Sequence, residues 1–202
     1  MSLNNRITQT CPHCNTEQEM QYYQSVNITL EPALKNKVLA GKLNENICIN
    51  CKKEVNIMSG FLYHDMENKL MLELSLADEG NDEDRTAVLD DLKSQGYIYR
   101  KVNEYPRLLE KIKIFDNKLN DLVIQKIADD LKRMLELSLK QVKGEGYNVN
   151  VLFNKMESGL FKKKICFYFF THPSQVMEME YNIKKLDPNE KKNLYDLEML
   201  RK

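Results

Sequence analysis

Cys11-Pro12-His13-Cys14 and Cys48-Ile49-Asn50-Cys51 are the two stretches on which the reading of this chain turns. Each is a Cys-x-x-Cys pair in a polar setting, and together they supply four thiolates. A pair at this spacing can sit on a tight knuckle with both sulfurs turned to one point. Two knuckles facing each other make the tetrahedral cage that Zn²⁺ prefers. Cys11, Cys14, Cys48 and Cys51 are therefore the expected metal ligands. Four thiolates leave no coordination position for water, so the implied metal is structural rather than catalytic.

The competing reading is redox chemistry, because Cys-Pro-His-Cys is also the active tetrapeptide of some thiol oxidoreductases of the thioredoxin fold. There the first cysteine caps a helix directly after a buried strand, which lowers its pKa. Here only ten residues precede Cys11, they are mostly polar, and they offer no core strand. The segment after Cys14 alternates as a strand does, and a redox site has no use for a second pair.

The pattern between and beyond the pairs describes the scaffold. In residues 19–30, Met20, Tyr22, Val26, Ile28 and Leu30 share one parity and polar residues the other, the mark of a half-buried strand. Glu31-Pro32 opens a short helix with apolar Leu34, Val38 and Leu39, closed at Gly41. Past the second pair, 54–58 and 61–74 read as strands, the latter broken by the turn Glu67-Asn68-Lys69. An antiparallel sheet stapled by the metal is the simplest assembly.

These motifs carry a resemblance. Cys11-Pro12-x-Cys14, the Glu31-Pro32 helix start, Cys48-x-x-Cys51, Leu62-Tyr63-His64-Asp65-Met66 with Leu70-Met71, and later Leu109-Glu110-Lys111-Ile112 with Ile114-Phe115-Asp116 resemble the CpXC domain, a bacterial and archaeal family. The resemblance spans about residues 6 to 130. It implies a metal site and no particular activity, since the family has no assigned biochemical function. Two positions depart from the common pattern of such knuckles: Asn15 and Lys52 stand where glycine often comes after the second cysteine. A knuckle there needs positive φ, which asparagine tolerates and lysine adopts at a cost.

Further along, 78–91 is acidic and reads as a solvated loop leading into a helix around Val88, Leu89 and Leu92, ended by Gly96. Residues 97–102 are a β-rich run able to close the first sheet. The longest helical signal spans 104–142, broken near Asp116-Asn117. Its first stripe is Leu108, Leu109, Ile112 and Phe115, and its second is Leu119, Leu122, Val123, Ile127, Leu131, Met134, Leu135 and Val142. After Gly144 the composition turns aromatic. Tyr147, Val149, Val151 and Phe153 alternate, 165–170 is apolar on both parities as a central strand is, and Met177, Met179 and Tyr181 make a third strand. Asp187-Pro188-Asn189-Glu190 is a capped helix start, and Cys166 reads as a buried apolar residue.

The expected fold class is α+β: a zinc-ribbon-like antiparallel β unit with packed helices over 6–143, then a smaller α+β extension over 144–202. The 202 residues carry 30 basic and 30 acidic side chains, so no global charge draws the protein to nucleic acid or anionic lipid. Residues 1–75 hold seven basic and eight acidic side chains, net −1, where a nucleic-acid-binding zinc ribbon would be basic. The one basic triplet is Lys162-Lys163-Lys164. No apolar run reaches the 18 or so residues of a membrane helix, and no apolar leader opens the chain, so a cytoplasmic location is expected.

Of residues able to do chemistry, Tyr63, His64 and Asp65 form the candidate functional surface. Neighbours on a strand face opposite ways, so His64 cannot pair with Asp65 directly, while Tyr63 and Asp65 share a face. His64 would be a base or contact residue at a cleft, or else the run caps the core with Asp65 serving the turn. No catalytic residue is assigned. Gly-rich phosphate loops, a serine nucleophile elbow and a His-Glu-x-x-His helix are all absent from the sequence. The expectation is a zinc-binding interaction module whose partner is another protein or a second copy. A nucleic-acid-binding zinc ribbon and an enzyme built on Tyr63, His64 and Asp65 are the alternatives.

Overall fold

Alternating polar and apolar residues from Glu17 onward generate the strand around which the N-terminal part is built. In the computed structural model, which describes residues 1–76, 83–144, 146–158 and 163–201, that strand is β2, Glu17–Asn27. Met20 and Val26 are buried as the alternation requires, whereas the strand stops at Asn27 and Leu30 is exposed in the turn beyond it. Strand β1, Leu3–Thr10, pairs antiparallel with β2, and all eight of its residues are exposed. Its polar sequence excludes a core strand but not an edge strand, since an edge needs backbone pairing on one side only.

Pro32 at the first turn starts helix α1, Pro32–Leu39, which buries Leu34 and Val38 and gives way to Gly41 at φ +70°. Next comes a short hairpin, β3, Glu45–Ile47, with β4, Glu54–Asn56, and it carries the second cysteine pair at its tip. Then come β5, Phe61–Asp65, and β6, Leu70–Leu74, an antiparallel pair whose alternate residues Phe61, Tyr63, Leu70, Leu72 and Leu74 are buried. Helix α2, Glu83–Ser94, ends before Gly96 at φ +78°, and β7, Ile98–Val102, completes the sheet. Of the acidic run, Asp78, Glu79 and Asp82 lie outside the described residues.

The order of the five-stranded sheet is β1-β2-β5-β6-β7. It corrects the expectation of an antiparallel sheet: β2–β5 and β6–β7 are parallel. The reason lies in the connections. The chain spends α1 and the second knuckle between β2 and β5, and α2 between β6 and β7, so each new strand re-enters the sheet at the end where the previous one began.

Helix α3, Tyr105–Asp116, and helix α4, Asp121–Lys143, come next, with the break near Asp116-Asn117 that the sequence predicts. Asn120 caps α4, its side chain accepting from the N–H groups of Leu122 and Val123, and Gly144 at φ +75° closes it. The buried stripe runs through Leu119, Val123, Ile124, Ile127, Ala128 and Leu131, and Leu122, Met134 and Val142 are exposed instead. Strand β8, Asn150–Ser158, β9, Lys163–Phe170, and β10, Met177–Asn182, form a second sheet in the order β10-β9-β8, with β9 central as its two-sided apolar pattern requires. Helix α5, Pro188–Asn193, has the capping box of Asp187 and Glu190. Where β8 bulges between Phe153 and Lys155, the buried Glu110 carboxylate accepts the Phe153 N–H at 2.6 Å.

The chain divides into two compact units, Met1–Leu109 and Glu110–Lys202. Composition placed the boundary at 143/144. The compact division falls earlier because the core of the second unit is made by residues of α3 and α4, from Ile114 to Leu131, together with Val151, Phe153, Ile165 and Phe167.

In the first unit, Gly60 makes a close backbone approach. A Cβ there would lie 2.5 Å from the Leu74 carbonyl oxygen. Gly60→Ala should therefore lower the stability of this unit by about 1–3 kcal/mol through forced backbone displacement, measured by urea denaturation. A neutral or stabilising effect would mean that the strands part at no cost.

Candidate metal centre

The two cysteine pairs lie 34 residues or more apart in sequence, and β2 and the β3–β4 hairpin bring them together. The loops that hold them are local copies of each other. In the first, the Cys11 N–H donates to the Thr16 carbonyl at 2.9 Å and the Asn15 N–H to the Cys11 carbonyl at 2.9 Å. In the second, the Cys48 N–H donates to the Lys53 carbonyl at 2.9 Å and the Lys52 N–H to the Cys48 carbonyl at 3.1 Å. The residue after each second cysteine takes positive φ, Asn15 at +58° and Lys52 at +60°. These are the conformations the knuckle pattern demands of positions that lack glycine.

All four sulfurs lie within 4.8 Å of one another. Cys11 Sγ is 3.8 Å from Cys51 Sγ, and Cys14 Sγ is 3.6 Å from Cys48 Sγ. A tetrahedral ion with metal–sulfur bonds of about 2.3 Å spaces its sulfurs about 3.8 Å apart. A disulfide needs about 2.05 Å, and all five cysteines of the chain are free. The arrangement is thus a four-thiol cluster able to hold a metal ion. Cys11 and Cys48 are buried, whereas Cys14 and Cys51 are half-buried. Around them sit Met20, Val55 and Ile57, with Tyr22 at the margin.

The thiols are unequal. Hydrogen bonds with the side chain and backbone of Thr16 pull Cys14 from the ordinary thiol value of 9.0 to about 5. Cys48 is also lowered, by hydrogen bonding to the backbone of Cys51 and Asn50. Cys51 is pushed up to about 11: the backbone at Lys53 favours its thiolate, but burial and the three neighbouring sulfurs outweigh it. Close-packed sulfurs resist carrying several negative charges together, a conflict that a bound cation would relieve.

Polar side chains missed by the sequence reading hold the two knuckles in place. Buried Gln18 of β2 donates to the Ile47 carbonyl at 3.4 Å and accepts the Ile49 N–H at 2.8 Å. Asn50 of the second knuckle donates to the Thr16 hydroxyl of the first at 3.0 Å. Asn44 and Asn46 stand in for a missing strand partner, accepting the N–H groups of Tyr23 and Gln21 at 2.9 and 2.8 Å. The signal available in sequence was Gln18's parity, shared with Met20 and Tyr22.

Tyr63, His64 and Asp65 are not brought to one point. Tyr63 and Asp65 are buried on one face, and Asp65 serves the β5–β6 turn, accepting from the Asn68 N–H at 3.0 Å and Asn68 Nδ2 at 2.7 Å. His64 is half-buried on the other face with Nε2 3.1 Å from the Tyr97 hydroxyl. His13, in the first knuckle, is exposed, and Nδ1 of His172 lies 2.8 Å from the Ser174 hydroxyl in its own turn.

A family model described as CpXC protein matches residues 9–127, more than half of the chain. No curated protein and no solved structure matches.

This geometry generates two expected outcomes. Lys52→Gly relieves the strain of holding a residue with a Cβ in left-handed backbone and should raise stability by about 1 kcal/mol, measured by chemical denaturation. Burial holds the His64 imidazole below its ordinary value of 6.5, against the opposing pull of Asp65. The folded state then binds the proton less well than the unfolded chain, so stability declines as pH falls below 6.5 toward the folded value. Histidine NMR titration should give a His64 midpoint under 6.5, and a midpoint above it would contradict the environment described.

Proposed function

This chain belongs to the CpXC family, and from that premise we propose that Cys11, Cys14, Cys48 and Cys51 bind a single Zn²⁺ that staples a zinc-ribbon-like interaction module. The observation that carries the reading is the sulfur spacing of 3.6 and 3.8 Å across the two knuckles, which suits tetrahedral thiolate coordination. Zinc is favoured over harder ions because all four donors are soft sulfurs, and the closed donor set supplies structural stabilisation rather than a reactive water. Among the described residues no helix is long and apolar enough to cross a membrane.

The metal's role comes from the smallness of its surroundings. Among the described residues the buried apolar cluster here is Cys11, Met20, Cys48, Val55 and Ile57, with half-buried Cys14, Tyr22 and Cys51 against it. So few side chains cannot hold two loops and a three-residue hairpin by apolar burial alone. Binding free energy of the ion becomes folding free energy of the knuckles. The interaction role is supported by what the staple leaves outward, with β1 exposed along its whole length and Ile47 and Ile49 exposed beside the second knuckle.

Elemental analysis of the purified chain should find one zinc, with four thiols becoming reactive only after chelation. Cys48→Ser should abolish metal retention and lower unfolding free energy by about 3 kcal/mol or more. Metal-free protein that keeps wild-type stability would sink the proposal, as would a Cys11–Cys14 disulfide isolated under non-reducing conditions.

A further inference from the structure

We propose that β1 is a self-pairing edge, and that two copies of the chain join antiparallel along it to continue the sheet from one protomer into the other. This names a partner for the interaction module proposed above and rests on that reading.

The outward half of the β1 ladder can be assigned residue by residue. Tyr23 and Gln21 of β2 send their N–H groups to Asn44 and Asn46, away from β1. Their β1 partners in the register are Asn4 and Arg6. In an antiparallel ladder, residues alternate between bonding the neighbour and facing the other way. Asn4, Arg6, Thr8 and Thr10 therefore present N–H and C=O to the outer edge, while Asn5, Ile7 and Gln9 bond β2. Among the described residues no group of this chain occupies that edge.

Sheets usually blunt such an edge with short length, lysine, proline or a bulge. This one runs eight residues with no proline and no lysine, and its irregularity lies at its start, between Leu3 and Asn4. Its single charge, Arg6, is already matched by Glu19 at 3.3 Å.

The strand also fits itself. A two-fold axis at Ile7 sets Asn4 opposite Thr10 of the second copy and Arg6 opposite Thr8, each pair exchanging two backbone bonds. Asn5 then faces Gln9, amide to amide. Ile7, 41% exposed in the single chain, faces its own counterpart across the axis. Of the two registers one pair shorter, the one centred on Arg6 would oppose the two Arg6 side chains, which like charge disfavours, and the one centred on Thr8 leaves Asn4 without a bonded partner. The occupant indicated is therefore a second β1 rather than a strand of opposite charge.

The test uses the full, zinc-loaded chain in sedimentation velocity over a wide concentration range. Wild type should reach twice the chain mass and dissociate on dilution. Thr8→Pro removes an outward N–H that β2 does not use, and Ile7→Lys places like charges on the axis. Each should weaken the dimer about tenfold or more while retaining zinc. Ile7→Cys should cross-link between copies under mild oxidation, because residues facing at a non-bonded position have Cα atoms about 4.5 Å apart, within disulfide reach. Asn5→Cys, facing Gln9, should not. Wild type that stays a single chain at every concentration overturns the proposal, and so does a dimer indifferent to both Thr8→Pro and Ile7→Lys. Zinc is measured on the same samples. Absent metal overturns the preceding reading, whereas a zinc-loaded monomer overturns this one alone.

Discussion

The meeting of four sulfurs is the constraint on which the N-terminal unit depends. It joins loops that chain entropy would otherwise hold apart, since closing a segment of more than thirty residues carries a real cost in conformational freedom. Everything close to the cluster is arranged to permit it. Asn15 and Lys52 accept left-handed backbone, two loops repeat the same pair of backbone bonds, and Gln18 and Asn50 tie one knuckle to the other. The local apolar core is too slight to impose this geometry by itself. A bound metal ion would add stabilisation and would settle the charge conflict written into the unequal thiols of Cys14 and Cys51.

From the cluster outward the unit solves a backbone problem. Strand β2 pairs with β1 from Glu17 to Ser25 but meets β5 only over Ser25–Asn27. The remaining length of its second edge would be left unbonded, and the side chains of Asn44 and Asn46 take the place of a strand there. Asparagine suits this role because its amide offers an acceptor and donors in the same planar arrangement as a peptide group. The consequence reaches function. With β2 satisfied on both sides, β1 is left as an open edge of the sheet, and the surface on which the proposed self-pairing depends comes from the same register that anchors the knuckle.

The second unit is assembled on different terms, by apolar packing of α4 against β8 and β9 through Ile124, Ile127, Val151, Phe153 and Phe167. Among the described residues its buried carboxylates, Glu110 and Asp121, are each accounted for. Glu110 takes the Phe153 N–H of the edge strand β8, and Asp121, fully buried, pairs with Lys111 at 2.6 Å. A buried pair of this kind adds little net stability but is costly to break, so it holds the start of α4 to one geometry. The His64 surface belongs to neither scheme: its neighbours Tyr63 and Asp65 are spent on core and turn.

By itself the sequence determined what local chemistry and short periods encode. Cysteine spacing located the cluster, alternation found β2, a run apolar on both parities found the central β9, and Pro32, Gly96, Gly144 and the Asp187–Glu190 box marked helix ends, because each feature acts over a few residues of contiguous backbone. The tertiary structure alone decided the parallel pairing of β2 with β5 and of β6 with β7, the assignment of β1 to an edge, the compact division at Leu109 and the use of Asn44 and Asn46 as surrogate strand partners. The physical reason is common to all four. Which strand meets which, and in what register, is settled by hydrogen bonds and burial between residues far apart in the chain, and a local pattern of polar and apolar residues is the same whichever neighbour arrives.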